Sequence, residues 1–548
     1  MNENVIEMKL LSSLEKVFAD EEPADSFFKS GTMLSNEIYS FQVAYCWQGN
    51  HVQDAWVHIH SEFELALKIR KVDLVPSEMP CYADHDTFVL RSNPGLYPDL
   101  LTPLEQGEIM LIPGQWRSLW VQIDGDKITG SGDYAIEIII QDKASSPLGS
   151  VVFYLKIIGE KLPEQKIYHT EWFHTDCIAT YYGVEVFSEE YWQRVGQYLR
   201  TAVKHGINMI LTPIFTPPLD TAIGGERPTV QLVDVQKENN LYSFNFNRLQ
   251  RWIDLCLATG VKYFEFSHLY TQWGAKHAPK IMALVNGEYI KIFGWDTDGG
   301  GEEYADFLAL FLKELRKFIE KNGLEDRCYF HVSDEPKIED LAAYAKSSQV
   351  LKMQLNGYPI IDALSDYQFF QNGIIEKPIP ALDHLDDFLK YQVPDLWTYY
   401  CCGQYRFVAN RFFNMPSIRN RILGIQLYKF RIRGFLHWGY NFWYTAFSRR
   451  PIDPYRITDA GYAVPSGDAF IVYPGKDGPV ESLRLEVFYE ALQDMRALDL
   501  LESKIGRTAV IDLLEEGLEQ PITFKQYPHD GKWLIGIREK VNRAISEN

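Results

Sequence analysis

Cys328-Tyr-Phe-His-Val-Ser-Asp-Glu-Pro336 is a short apolar and aromatic run that stops abruptly at two acids and a proline. Its composition reads as a strand, and Pro336 biases Glu335 away from helical geometry, so the acids stand on the strand's end or its exit loop. Successive strand side chains point to opposite faces, but at an irregular strand end both can turn into one cleft. Two carboxylates sharing a cleft split their pKa values, because burial and like charge keep one protonated while the other ionises. Acid-assisted cleavage of an acetal needs that split. Adjacent acids in a loop are usually solvated charge, so the surroundings must supply the rest.

Upstream of this run, residues 302–321 place Phe307, Leu310, Phe311, Leu315 and Phe318 on one stripe, with Gly323 as the stop, which predicts a helix feeding the strand. Another helix opens at Ser188, with Glu189 and Glu190 in its first turn, and closes at His205-Gly206. Strands alternating with such helices are expected at 171–174, 209–212, 263–266, 329–332, 359–362, 378–381, 396–399 and 434–438. Eight alternations of this kind predict a (β/α)8 TIM-like barrel, with its fifth and sixth strands the weakest in pattern.

Before residue 160 the pattern differs. Short strands are expected at 37–45, 55–60, 66–70, 118–123, 134–140 and 151–157, separated by turn signals such as Asp124-Gly125-Asp126, with almost no helical periodicity. This predicts an antiparallel β-sandwich. The polar stretch 159–165 is the natural linker. The expected organisation is therefore an N-terminal β-sandwich over 1–160, a barrel over 166–505 and a short helical C-terminal tail over 506–548.

The chain has 548 residues, enough for more than one core, with 46% hydrophobic and 23% charged residues. Its aromatic share is high, 14%, which suits stacking on sugars as well as bulky cores. A net charge of -20 argues against nucleic acid and anionic membranes as partners. The stretch Met-Asn-Glu-Asn-Val-Ile-Glu-Met-Lys at the start has acids and no apolar core, so no signal peptide is expected. No apolar run approaches the roughly 20 residues of a membrane span. Seven scattered cysteines without a Cys-x-x-Cys argue against disulfide frameworks and zinc ribbons, and a cytoplasmic location is expected.

In a barrel, residues at the C-terminal strand ends converge on one mouth. Asp334 and Glu335 pass that filter after the fourth strand. So do His174 and Asp176 after the first, Trp273 after the third, Trp397 and Tyr399 on the seventh, and Trp438, Tyr440 and Asn441 on the eighth. Aromatics, amides and acids together grip a pyranose, with rings against its C–H face and polar groups on its hydroxyls. His174-Thr-Asp-Cys177 and Asp296-Thr-Asp-Gly-Gly-Gly301 each suggest a metal, but neither completes a ligand set, so neither a metal nor a cofactor is expected. Gly-x-Gly-x-x-Gly, P-loop and Gly-x-Ser-x-Gly motifs are absent.

Three stretches together resemble glycoside hydrolase family 123, the β-N-acetylgalactosaminidases, and a related wider family sharing the same C-terminal catalytic region. They are His331-Val-Ser-Asp-Glu-Pro336, Gly434-Phe-Leu-His-Trp-Gly-Tyr-Asn-Phe-Trp443, and Gly467-Asp-Ala-Phe-Ile-Val-Tyr-Pro-Gly475 with Gly478-Pro-Val-Glu-Ser-Leu-Arg-Leu-Glu486. The resemblance implies a retaining exo-acting enzyme that removes terminal β-GalNAc with the substrate's own acetamido carbonyl as nucleophile. It implies Glu335 as the acid and base, and Asp334 as the group that holds the acetamido N–H and steadies the oxazolinium intermediate. The implied substrate is a small glycoside or oligosaccharide ending in an N-acetylhexosamine. Another sugar (β-GlcNAc or a non-acetylated glycoside, with Asp362 or Glu265 as a true nucleophile), a non-catalytic carbohydrate-binding protein and a homo-oligomer stay open at this stage.

Overall fold

The computed structural model describes residues 6–24, 28–239, 241–355 and 357–548; the first five residues of the acidic N-terminal stretch lie outside them. All six strands expected between residues 37 and 157 form, and Ile6–Ser12, Ser30–Leu34, Gly95–Pro103 and Glu108–Leu111 join them. They make two five-stranded sheets. One runs Ile6–Ser12, Ile38–Trp47, Trp116–Asp124, Leu67–Ser77, Gly95–Pro103, with every neighbour antiparallel. In the other, Ser30–Leu34 pairs parallel with Pro147–Ile158, and the remaining neighbours are antiparallel. Alternation puts Ile136, Ile138 and Ile140 on the inner face of their strand, where they share a core with Phe41, Val43, Leu119 and Val121 of the facing sheet. Phe41 and Phe153 stack across the gap at 4.2 Å. Each such side chain contributes about 1.5–3 kcal/mol on burial.

Beyond residue 165, strands and helices alternate as expected. The helix Glu189–Lys204 is capped by the Ser188 hydroxyl, which accepts from the Tyr191 N–H, and ends at Gly206 in a left-handed conformation. The helix Glu302–Lys321 matches its expected bounds, but its inward stripe is rotated: Leu308, Leu312 and Ile319 are buried with Phe307, Phe311 and Leu315, whereas Leu310 is 49% exposed.

Eight parallel strands follow in order: Tyr168–Glu171, Met209–Thr212, Tyr263–Phe266, Cys328–Tyr329, Ile361–Ala363, Lys377–Ile379, Trp397–Tyr399 and Gly434–His437. They are called the first to eighth strands below. The continuous eight-stranded (β/α)8 ladder expected from the sequence does not form. Six strands make one sheet, in the order fourth, third, second, first, eighth, seventh, while the fifth and sixth pair separately. Single parallel bridges, Phe330 to Ile360 and Ala381 to Tyr399, link the two sheets. Proline accounts for the division: Pro359, Pro378 and Pro380 carry no N–H to extend the ladders there. The helices after these two strands are also short, Gln368–Gln371 and Asp386–Lys390. At the opposite seam, a Cβ on Gly434 would lie 2.0 Å from the Trp397 ring, so only glycine lets the seventh and eighth strands pair around that indole.

The long helix Leu483–Ile505 lies between this sheet and the sandwich. Arg70 of the sandwich, fully buried, reaches Glu481 at 3.4 Å and Glu486 at 2.7 Å, and Arg484 of the helix reaches Asp99 at 2.8 Å. The last helix, Gly531–Glu547, turns back onto the sandwich, where Arg538 pairs with Glu37 and Asn542 donates to the Thr32 carbonyl at 3.1 Å. No described helix is long and apolar enough to cross a membrane.

Candidate active site

One pocket opens at the C-terminal ends of the parallel strands. Trp172 follows the first strand, Leu219 and Asp220 the second, Gln272 and Trp273 the third, and Asp334 and Glu335 the fourth. Ala363, Tyr399, Cys401, Cys402, Leu436 and Trp438 join the wall from the fifth, seventh and eighth, and Ala446, Ala460, Ala463 and Val464 from the loops after the eighth. The acid pair enters this pocket because the chain breaks strand geometry there. Glu335 takes φ +42°, left-handed for a residue with a Cβ, and its N–H donates to the Ala363 carbonyl at 3.0 Å. The Asp334 carbonyl accepts from the Trp273 N–H at 2.9 Å, and the Ser333 hydroxyl donates to the Thr271 carbonyl at 2.7 Å. Such a conformation costs about 1–3 kcal/mol, and these flanking bonds hold it.

The two carboxyls differ in their surroundings. Glu335 Oε1 accepts from the Tyr399 hydroxyl at 2.5 Å, and burial keeps that phenol protonated by pushing its pKa well above the ordinary value. Burial and the charge of Glu335 hold Asp334 well above the usual carboxylate range, with smaller contributions from Asp362 and Asp220. The His331 ring charge works the other way on Asp334. Asp220, also in the wall, is pushed up to about 6 by burial, against its bond from Phe447 and the charge of Arg227.

Beneath the pair, His331 is fully buried between two acids: Nε2 lies 2.6 Å from Glu265 and Nδ1 2.9 Å from Asp362. Burial pulls the imidazole down, but the hydrogen bonds and charges of Asp362 and Glu265 outweigh it and raise it to about 9. Glu265 also accepts from the Thr170 hydroxyl and from Trp172 Nε1 at 2.7 Å, which fixes the indole at the pocket floor. Asp362 accepts from the Tyr344 hydroxyl and from the Val332 N–H at 3.1 Å. Neither acid lines the pocket. His268, stacked on His331 at 4.1 Å, completes a His268–His331–Asp362 cluster whose donor atoms lie within 4.8 Å of one another. Both His331 nitrogens are already engaged by carboxylates, so the cluster is organised around a proton.

Of the residues expected from strand-end position, Asp334, Glu335, Trp273, Tyr399 and Trp438 line the pocket. The other five stand outside its wall. His174 begins the helix Thr175–Tyr182, 2% exposed, with Nε2 2.9 Å from the Trp438 carbonyl and Nδ1 3.0 Å from Arg227. Asp176 is taken up by Arg227 at 2.7 and 2.8 Å. Asn441 bonds the His174 backbone through both its amide oxygen and nitrogen, at 2.8 and 3.0 Å. Tyr440 donates to the Tyr198 carbonyl at 3.0 Å and stacks on Phe173. Trp397 stacks on Tyr168 among the ring side chains beneath the site. These five are structural supports of the site's walls. Trp172, Asp220, Gln272 and the Cys401-Cys402 pair also stand in the wall, where strand-end position alone does not single them out. Trp172, expected inside a strand over 171–174, instead follows the first strand, which ends at Glu171.

From Glu335, Tyr399 and Trp273 a second, open groove runs outward past Lys337, Asp366, Tyr367, His384, Asp387 and Gln404. Its wall is polar, unlike the aromatic pocket behind it.

The catalytic-domain model of glycoside hydrolase 123 matches residues 172–501, more than half of the 548-residue chain. The chain is similar over 99% of its length, and 98% of the other, to a family 123 glycoside hydrolase from Clostridium perfringens described in a study of glycolipid glycan hydrolysis, with 15% identity and a TM-score of 0.77. An endo-β-1,4-mannanase from Thermotoga petrophila aligns far more loosely, with 11% identity, 61% of this chain and 77% of the other covered, and a TM-score of 0.34. No curated protein matches the chain. On the family match, this chain belongs to glycoside hydrolase family 123 and is a glycoside hydrolase.

Proposed function

We propose that the enzyme removes terminal β-linked N-acetylgalactosamine with retention of configuration, by substrate-assisted catalysis. The observation that carries this is the pair of adjacent acids at one strand end, with the other two candidate nucleophiles, Glu265 and Asp362, locked on His331 outside the pocket. An enzyme nucleophile must reach the anomeric carbon from the face opposite the acid. Adjacent acids need not do so when the substrate supplies the nucleophile.

Desolvation and the neighbouring Glu335 charge favour the protonated form of Asp334 before substrate binds. A substrate acetamido N–H donated to Asp334 favours its ionised form, and the displaced proton passes to Glu335. Glu335 then protonates the glycosidic oxygen as the C1–O bond breaks, and the acetamido carbonyl oxygen bonds C1 from the other face. The aglycone leaves as an alcohol, and the oxazolinium carries the positive charge against ionised Asp334. Glu335 next takes a proton from water, whose oxygen adds to C1 as the bond to the acetamido oxygen breaks. Two inversions give retention. The Tyr399 hydroxyl steadies Glu335 whenever it is ionised.

The aromatic pocket suits one sugar ring, and the polar groove beyond Glu335 suits a further saccharide as leaving group, hence an oligosaccharide substrate. The eight strands are taken as a (β/α)8 barrel over 166–505, closed by its two bridges, between a sandwich over 1–160 and a helical tail over 506–548. Seven free cysteines suit a cytoplasmic setting.

The test is hydrolysis of aryl β-GalNAc, β-GlcNAc and β-galactoside. Preference for the N-acetyl sugars, GalNAc foremost, with inhibition by a thiazoline analogue of the oxazoline, is expected. Cleavage of the plain galactoside at an equal rate would overturn substrate assistance.

A further inference from the structure

The pocket wall holds an acceptor and a donor that the proposed chemistry does not use. Asp220 stands at φ +39° between two loops that clamp each other around it. Its carbonyl accepts from the Ser448 hydroxyl at 2.7 Å, and its Oδ2 accepts from the Phe447 N–H at 3.1 Å. Phe447 and Ser448 are themselves left-handed, at φ 58° and 52°, and the Phe447 carbonyl accepts from the Ala222 N–H at 3.1 Å. Asp220 and the two residues that clamp it, Phe447 and Ser448, all hold strained left-handed conformations, the mark of a side chain that must be held in place. Among the described residues, no protein donor reaches the other oxygen, Oδ1.

The Asp220 N–H donates to Gln272 Oε1 at 2.7 Å, which fixes the amide's orientation and leaves Nε2 as the free end. That Nε2 is buried and has no partner among the described residues, although Gln272 is only 5% exposed. A buried amide N–H2 without an acceptor costs about 1–3 kcal/mol, so it calls for a ligand. A free carboxylate oxygen beside an orphaned amide donor is the complement of a sugar hydroxyl, which donates one hydrogen bond and accepts another.

We propose that Asp220 and Gln272 form the hydroxyl-reading site of the pocket: one ring hydroxyl donates to Asp220 Oδ1, accepts from Gln272 Nε2, and so sets which hexosamine is accepted. This role rests on the sugar placement proposed above. Sites built to pair a hydroxyl reject analogues lacking it far more strongly than apolar pockets reject size changes.

The test is binding of N-acetylgalactosamine, N-acetylglucosamine and galactose, with the singly deoxygenated forms of each, to wild type, Asp220→Asn and Gln272→Leu. For one hydroxyl position, removal should weaken binding to wild type by about 10- to 100-fold. Each variant should lose a similar factor with the parent sugar and be indifferent to that same deoxygenation. Asp220→Asn keeps the side chain's shape and one oxygen for the Phe447 N–H, so it guards against a merely misfolded loop. Losses that multiply independently at every hydroxyl would overturn the proposal, as would restoration of Asp220→Ala activity by azide with formation of a glycosyl azide, which marks a nucleophile. Equal binding of galactose would sink the acetamido chemistry while leaving the Asp220 coupling readable. Failure of every sugar to bind would sink both.

Discussion

Replacing His331 by Gln removes a buried charge that the fold is built to hold. In the folded protein the imidazole is raised from 6.5 to about 9 by Glu265 at 2.6 Å and Asp362 at 2.9 Å. At 1.36 kcal/mol per pH unit, that rise corresponds to about 3 kcal/mol of stabilisation of the protonated ring. The sign follows from linkage: the folded state keeps its proton up to about pH 9, while the unfolded chain releases it near 6.5. The stabilisation is therefore complete below pH 6.5 and is lost as pH rises through 9. Urea unfolding of wild type and His331→Gln at pH 6 and pH 9.5 measures it, and the difference between the proteins isolates this group from others titrating in the window. Wild type should exceed the variant by several kcal/mol at pH 6, since breaking a buried pair leaves charge uncompensated, and by about 3 kcal/mol less at pH 9.5. Asp362→Asn should show part of the same loss. Because the imidazolium opposes the upward push on Asp334, His331→Gln should also move the ionisation limb assigned to Asp334 in kcat/KM to higher pH. A difference between wild type and variant that is the same at both pH values would refute the reasoning.

Tyr399→Phe removes the donor that steadies ionised Glu335, and kcat/KM should fall by about 10- to 100-fold with binding of the thiazoline inhibitor largely kept. Arg70→Met removes the buried guanidinium shared by Glu481 and Glu486, leaving Glu481 to the half-exposed Lys68 and Lys204 and Glu486 to Gln122 and His205; unfolding free energy should drop by about 3 kcal/mol while kcat of the folded enzyme stays unchanged, which thermal unfolding and initial rates check together. Gly434→Ala drives a Cβ to 2.0 Å from the Trp397 ring, and the thermal midpoint should fall by at least the effect of about 1–3 kcal/mol of overpacking.

The parts of the molecule written in local pattern were legible in the sequence. The helix Glu302–Lys321 announces itself by spacing and stop, and the helix Glu189–Lys204 by cap, first-turn acids and glycine. Alternation in Gly132–Gln141 marks a sandwich strand. Where proline removes ladder donors, around the fifth and sixth strands, the same pattern of short apolar runs yields a separate two-stranded sheet joined by bridges. The candidate site was legible at the acids, whose position after a strand and before Pro336 fixes where they stand. Strand-end position alone does not distinguish a wall residue from a support: His174 and Asp176 are consumed by Arg227, a residue 53 and 51 positions away. Asp220 and Gln272 are invisible to local pattern for the same reason: Asp220 is held by the Phe447 N–H, 227 residues downstream, and Gln272 is oriented by the Asp220 N–H, 52 residues upstream.

The division of labour between the two acids is tested by Glu335→Gln and Asp334→Asn on aryl β-GalNAc substrates with good and poor leaving groups. Glu335→Gln should lose most of its activity on poor leaving groups and far less on activated ones, which need little protonation, whereas Asp334→Asn should lose a similar factor on both. An equal loss on both leaving groups for Glu335→Gln, or a leaving-group dependence that appears instead in Asp334→Asn, would contradict the assignment of the proton to Glu335 and of the acetamido group to Asp334.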